Sequence, residues 1–351
     1  MVNNDKKEYT IKDVAILAGV STATAGRVLG GYGSVSSKTA RSVMEAAQKL
    51  NYIPNAIAQS MKKRNTNTVG LIVANICNPY FSTIAKATEE HLAKHGYHVI
   101  ICNTDEDLDK EISYIKTLYE KRIDGLMIAT AFKGNEKISE EIGRMYDGKI
   151  PTLIIDREIA GLSLPTVTSD NFRGAYDATS HLIRLGHKRI GVIGTTISTL
   201  YQRVDGYKKA LTDNGIPLDQ DLIANKGVPN LQAGDVREGK EIAIHMLTSS
   251  KTKVTAILAL NNLLTFGALQ AIRELGLKIP DDVAFIGWDD FELATVMNPP
   301  ITVVNQSTGD IAAIASSRLL QMMDEPAQDE ADRNRKVVLA TQLIVRGSCG
   351  S

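Results

Sequence analysis

The chain has 351 residues, enough for two or three folding units, each with its own core. Apolar residues make up 43% and charged residues 23%, which excludes wholesale disorder and collagen-like structure. Forty Lys and Arg balance forty Asp and Glu, but unevenly: residues 1–65 hold ten basic and four acidic side chains, so a +6 head precedes a −6 body. That asymmetry predicts a polyanionic partner for the head alone. No apolar run is long enough to span a membrane, and the N-terminus lacks the apolar stretch of a secretory signal, so a cytoplasmic location is expected. The cysteines, Cys77, Cys102 and Cys349, are widely spaced with no CxxC, which fits a reducing compartment and no zinc knuckle.

In the head, Thr10 precedes the periodic run Ile11, Val14, Ala15, Leu17 and Ala18, which predicts a capped helix ending at Gly19. Ser21 is placed to cap a second helix from Thr22 to about Leu29. Helix, short Gly-containing turn and helix is the helix-turn-helix pattern, whose second helix enters the DNA major groove. Its exposed face offers Ser21, Thr22, Ala23, Thr24 and Arg27. Arg27 suits a bidentate guanine contact, Thr22 and Ala23 suit thymine methyls or a polar base edge, and the hydroxyls suit phosphate. A third helix is expected from about Ser37 to Leu50, with Val43, Ala46, Ala47 and Leu50 on one face. Pro54 stops it, and Asn55 can cap a fourth, Ala56 to about Met61, before the basic run Lys62-Lys63-Arg64. So short a helix forms only when something packs on it, such as a second copy in a minor groove with Met61 as the wedge.

At these residues the chain resembles the lactose/galactose repressor family of bacterial transcription regulators. The stretches that carry the resemblance are TIKDVAILAGVSTATAGRVL (10–29), YIPNAIAQSM (52–61), VGLIVANICNPYFSTI (69–84), IPDDVAFIGWDDFELATVMNPPITVV (279–304) and LIVRGS (343–348). They span essentially the whole chain in the family's order. The candidate DNA-contacting set is then Thr10, Ser21, Thr22, Ala23, Thr24, Arg27, Asn55, Ala58 and Met61. Two departures from the pattern stand out: Ala25-Gly26 stands where Val-Ser is usual, and Met61 where Leu is usual. A Gly inside a helix costs roughly 1 kcal/mol relative to Ala.

From Thr68 the texture becomes alternating apolar strands and helices. Strands are predicted at 69–74, 98–103, 125–129, 152–156, 166–169, 189–195, 256–260, 284–288 and 301–304, and helices at, among others, 81–96, 175–186 and 265–276. Gly96, Gly186 and Gly276 close helices. The pattern predicts two parallel sheets with a ligand at the strand carboxyl ends. The expected fold is a small all-α helix-turn-helix head (residues 1–54), a hinge helix and linker (55–67), and an α/β body (68–351). The resemblance makes that body periplasmic-binding-protein-like, with two parallel-sheet lobes of about 68–168 with 305–330, and 169–304 with 331–351.

Asp156, Asn261 and Asp289 end strands, Arg203 begins a helix and Gln306 follows a strand. Mapped on the family, these are effector-contacting positions, with Tyr80 and Phe81 in the first strand–helix loop. Carboxylates, a guanidinium and amides beside aromatic rings suit a polyhydroxylated ligand, a sugar or sugar acid. Ala129 and Pro229 depart from the family, removing a hydrogen-bond partner and a stacking face.

Rival chemistries lose on spacing. His91 and His95 stand at i, i+4, but Leu92 follows where a zincin needs Glu, and Gly30-Gly31-x-Gly33 follows a helix and lacks the phosphate-loop spacing. No catalytic, metal or cofactor set emerges, and an enzyme is not expected. The expected protein is an effector-responsive, operator-binding repressor of carbohydrate-metabolism genes, acting on double-stranded DNA as a homodimer, since no heptad helix follows LIVRGSCGS. Two alternatives are a cytoplasmic small-molecule-binding module without DNA activity and a regulator controlled by a protein partner. The +6 head opposes the first, and Asp156, Arg203 and Asp289 favour a small ligand over the second.

Overall fold

A computed structural model describes residues 9–52, 65–130, 136–147, 149–157, 159, 162–194, 198–224, 234–249, 253–325 and 335–351. The chain divides into two units, Met1–Thr66 and Asn67–Ser351. The expected hinge helix, with Asn55, Ala58 and Met61, lies outside the described residues, as does Pro229.

The first unit holds α1 (Ile11–Ala18), α2 (Thr22–Gly30) and α3 (Ser37–Lys49) around Val14, Ala15, Ala25, Val43, Ala46 and Ala47. The Asp13 carboxylate accepts from the Thr10 backbone N–H and from its hydroxyl, both at 2.8 Å, fixing the start of α1. Gly19 turns the chain at φ +68°, and Val20 N–H returns to Ala15 O at 3.0 Å. Ser21 then caps α2 by accepting from Thr24 N–H at 3.1 Å.

In the second unit, β1 (Thr68–Val73), α4 (Pro79–Ala93), β2 (His98–Asn103), α5 (Leu108–Glu120), β3 (Gly125–Ile128), α6 (Glu136–Asp147), β4 (Thr152–Ile155) and β5 (Thr166–Ser169) build the first lobe. Then α7 (Asn171–Arg184), β6 (Ile190–Ile193), α8 (Ser198–Asp213), β7 (Ile223–Ala224), α9 (Val236–Thr248), β8 (Ala256–Ala259), α10 (Asn262–Glu274), β9 (Ala284–Trp288) and β10 (Thr302–Asn305) build the second. Finally α11 (Thr308–Asp324) returns to the first core through Ile311, Ala312, Ala315 and Leu319, followed by β11 (Lys336–Leu339) and β12 (Gln342–Ile344).

The sheets run β11-β5-β4-β3-β1-β2, all parallel, and β12-β10-β9-β8-β6-β7, parallel except for β12, which pairs antiparallel with β10. The chain therefore crosses between lobes after β5, after β10 and between β11 and β12. This corrects the expected assignment of all of 331–351 to the second lobe, because Lys336–Leu339 pairs with Thr166–Ser169 in the first. That strand alternates exposed and half-buried residues, an edge pattern without the continuous apolar run that marks a strand buried on both faces. β7 and β12, the other strands absent from the sequence reading, are short edges too.

Helix pairs in the second lobe approach closely enough to touch backbone on backbone. On α9, a Cβ at Gly239 would lie 2.7 Å from Leu264 Cα, and one at Gly267 on α10 would collide with Val236 O and press on Lys240 N at 2.5 Å. Backbone cannot swing aside as a side chain can. Gly267→Ala is therefore expected to cost about 3 kcal/mol, the upper end of overpacking penalties, read as a lower urea midpoint at unchanged slope.

Candidate functional site

Three helices of the second unit begin earlier than their apolar patterns. Asn78, Asp170 and Asn261 cap α4, α7 and α10 by accepting from Tyr80, Arg173 and Leu264 N–H at 2.9, 2.9 and 2.6 Å. Starts expected at 81, 175 and 265 thus fall at 79, 171 and 262. The added residues, 79–80, 171–174 and 262–264, mix polar and apolar side chains, so apolar periodicity does not register them.

A cleft open to solvent lies between the lobes, lined by residues of both. All seven residues expected from the sequence line it: Tyr80, Phe81, Asp156, Arg203, Asn261, Asp289 and Gln306. Asp156 and Asp289 hold equivalent places, one residue beyond β4 and β9. Each donates its backbone N–H to the neighbouring strand, to Val167 O at 2.9 Å and Val304 O at 2.8 Å, and each is left-handed, at φ +65° and +63°. A non-Gly residue there stores of order 1 kcal/mol or more, a cost that clusters at functional sites.

In the first lobe, Tyr80 Oη donates to Asp156 Oδ1 at 3.0 Å. Burial raises the Tyr80 pKa well above its ordinary value, reinforced by the Asp156 and Asp289 charges. Arg157, which the sequence reading did not single out, lies 5.7 Å above the Phe81 ring. Its guanidinium reaches Glu106 at 3.2 Å and Asp156 at 3.5 Å. Burial pulls its pKa down, but Glu106 and Asp156 outweigh that and the net shift is upward. Ala129 is buried and apolar, and its buried neighbour Thr130 spends its polar groups within the protein. The Thr130 carbonyl accepts from Arg157 at 3.4 Å, and its hydroxyl donates to buried Glu111 at 2.5 Å.

In the second lobe, Arg203 Nε donates to Asn171 Oδ1 at 2.7 Å, and Nη1 donates to the Leu260 carbonyl. The guanidinium lies 4.1 Å over the Trp288 ring. Gln306 Nε2 donates to Asp289 Oδ1 at 2.6 Å. Burial pushes the Asp289 pKa up to about 6; Arg203 and the Gln306 hydrogen bond oppose this, and the Asp156 charge adds to it. Across the cleft, Asn262 Nδ2 of the second lobe donates to Asn78 Oδ1 of the first at 2.7 Å. Of the residues missed in sequence, Asn78 and Asn262 flank helix starts, where capping signals could have flagged them. Glu106 and Arg157 carry no comparable local signal.

In the first unit, Thr22, Ala23 and Arg27 are exposed on α2, Thr24 is half-buried beside its cap Ser21, and Thr10 caps α1. A Cβ at Gly26 would meet only ordinary contacts, Tyr32 Oη at 3.5 Å and Ile11 at 3.7 Å, so space does not demand the glycine. His91 and His95 stack 5.6 Å apart with His91 Nε2 3.1 Å from Ser317 Oγ, and among the described residues no three His, Cys, Asp or Glu group to hold a metal.

Residues 66–344 match the family model for periplasmic binding proteins and the sugar binding domain of the LacI family, and residues 10–55 match that for bacterial regulatory proteins of the lacI family. The transcriptional regulator DegA of Bacillus subtilis is 34% identical over 343 residues, 97% of each chain. The lac repressor dimer bound to operator and the anti-inducer ONPF is 25% identical with a TM-score of 0.84, covering 98% of this chain and 100% of that one. A LacI family regulator from Enterococcus faecium with bound ribose is 28% identical with a TM-score of 0.69, covering 80% and 98%.

Proposed function

Since this chain belongs to the LacI family of bacterial regulatory proteins, a family of DNA-binding transcription regulators, we propose that it acts as a homodimeric repressor whose cleft takes a sugar or sugar acid. The observation that carries the effector reading is the pair of buried, left-handed aspartates presented by the two lobes to one cleft. Each carboxylate can accept from a ligand hydroxyl, while Arg203 and the amides of Asn261 and Gln306 satisfy its oxygens and remaining hydroxyls. The lac repressor's complex with operator and the ribose held by the Enterococcus faecium regulator support the same two partners here. In the head, Arg27, Thr22 and Ala23 read base edges while Ser21, Thr24 and Thr10 meet phosphates. The segment 55–67 joins head to body, with Asn55, Ala58 and Met61 at the minor groove. The protein works by binding and not by catalysis. Ligand in the cleft changes how the lobes meet across the Asn78–Asn262 bond, and that change is passed to the paired heads.

A thermal-shift screen against sugars, sugar acids, sugar phosphates and purines tests the effector reading. Ligand at a hundred times its Kd adds about 2.7 kcal/mol to the folded state, and the hit is then tested for altering operator retention. A hit among the purines alone would overturn the sugar reading.

The Asp289 shift gives binding a pH dependence. The ionised carboxylate is the acceptor, so sugar affinity is expected to rise with pH, about tenfold per unit below its pKa of about 6, and level off above. Calorimetry in buffers of different ionisation enthalpy should show proton release near pH 6. For the ligand-free fold the sign reverses. A raised carboxyl pKa contributes stability at low pH that is lost as pH rises from about 4 through about 6.

A further inference from the structure

We propose that the cleft takes an uncharged polyol and turns anions away, so that the effector is a neutral sugar and not a sugar acid or sugar phosphate. This rests on the reading of the cleft as the effector site and narrows it. Three features of the cleft that would hold an anion are already occupied by the protein itself.

The first is charge. Among the described lining residues four carboxylates, Glu106, Asp156, Asp235 and Asp289, face two guanidiniums. The second is the state of those guanidiniums. Arg157 is held by Glu106, Asp156 and the Thr130 carbonyl, and Arg203 by Asn171, the Leu260 carbonyl and the Trp288 ring. A phosphate or carboxylate needs two neighbouring N–H groups of a guanidinium free to grip it, and here Nη1 and Nη2 of Arg157, and Nε and Nη1 of Arg203, are already given to protein acceptors. The third is the helix ends. α4, α9 and α10 begin at the cleft wall, where bare N–H groups would attract an anion. Asn78, Asp235 and Asn261 fill those positions, accepting from Tyr80, Glu238 and Leu264 N–H at 2.9, 2.7 and 2.6 Å.

Among the described residues three lining atoms are buried without a hydrogen-bond partner: the acceptors Asn262 Oδ1 and Gln306 Oε1, and the donor Arg157 Nε, which is ion-paired with Asp156 at 3.5 Å. The orientation of the two amides is fixed by chemistry. Asn262 Nδ2 donates to Asn78 Oδ1, which itself accepts from Tyr80 N–H, and Gln306 Nε2 donates to the Asp289 carboxylate. Each remaining amide atom is therefore an oxygen, and it calls for a donor. Sugar hydroxyls donate; the oxygens of a phosphate or carboxylate only accept, and would stand against oxygens in a desolvated site.

The test uses a reporter the chain carries already. Its single tryptophan, Trp288, lies under Arg203, so its emission reports occupancy of the cleft. The full-length protein is titrated at fixed ionic strength with matched sets: ribose and ribose 5-phosphate, glucose with gluconate and glucose 6-phosphate, galactose and galacturonate, and inorganic phosphate as the bare anion. One uncharged sugar is expected to bind, with its anionic analogue weaker by about a hundredfold (about 2.7 kcal/mol), and phosphate is expected to give no saturable response. Glu106→Gln frees one side of the Arg157 fork and is expected to let phosphate in. An anionic analogue binding as tightly as its neutral parent, or a saturable phosphate response in the unaltered protein, overturns the inference while leaving the sugar reading intact. No response to any uncharged sugar overturns the polyol assignment and, with it, the sugar reading.

Discussion

Asp289→Ala is expected to weaken effector binding by about a hundredfold, roughly 3 kcal/mol, while operator affinity without effector stays within a few-fold. The size follows from what the side chain does. It is a buried carboxylate at a strand end, and hydrogen bonds to a buried charge contribute about 1.5–3 kcal/mol each. Alanine removes the acceptor for ligand hydroxyls and also releases the Gln306 amide, which now points its Nε2 at Asp289 Oδ1. Asp289→Asn separates the two roles, since it keeps the shape and loses the charge. It should lose less affinity than alanine and should abolish the pH dependence near 6. Isothermal calorimetry with the hit from the sugar screen reads both, with a melting curve to confirm that each variant folds. Unchanged effector affinity in Asp289→Ala would mean that the ligand sits elsewhere.

The complementary result is expected at the other unit. Arg27→Ala should reduce binding to a specific operator by about 1–3 kcal/mol per half-site, and twice that for a dimer on a pseudopalindrome, with effector affinity unchanged. Arg27 is exposed on α2, and its aliphatic stem lies along the turn at Gly33, where a Cβ would come within 3.2 Å of it. Arg27→Lys is the sharper control, because it keeps a positive charge for phosphate but loses the planar fork that grips two acceptors on guanine. Lysine should preserve the salt dependence of binding while relaxing base preference, as shown by parallel titrations on operator and scrambled DNA. If lysine kept full preference, Arg27 would be a phosphate contact and base reading would fall to Thr22 and Ala23.

Sequence alone went furthest where burial leaves a continuous mark. The central strands are unbroken apolar runs because helices cover both faces, and all nine expected strands are present. Edge strands show why the reading stopped where it did. Lys336–Leu339 has one wet face and one partner, so its pattern resembles a loop, and its absence displaced a lobe boundary. The cleft divides similarly. Asp156 and Asp289 were legible as polar residues ending apolar runs, but their left-handed backbones and equivalent placement come from pairing with the next strand, at Val167 and Val304, which a run of apolar residues does not specify. Glu106 meets Arg157 across 51 residues, and Asn262 meets Asn78 across 184; such pairs leave no local trace.

The order in which the strands are delivered has a consequence for synthesis. β5 is complete at Ser169, but its outer neighbour β11 begins only at Lys336, after the whole of the second sheet from β6 to β10 has been made. At translation rates of about 5–20 residues per second, the outer edge of β5 waits roughly ten to thirty seconds for its partner. During that interval the nascent first lobe carries an open strand edge, while β6 to β10 of the second lobe can assemble from one contiguous stretch of chain. A message truncated before codon 336 would therefore yield a chain in which each sheet lacks its outermost strand, β11 in the first and β12 in the second.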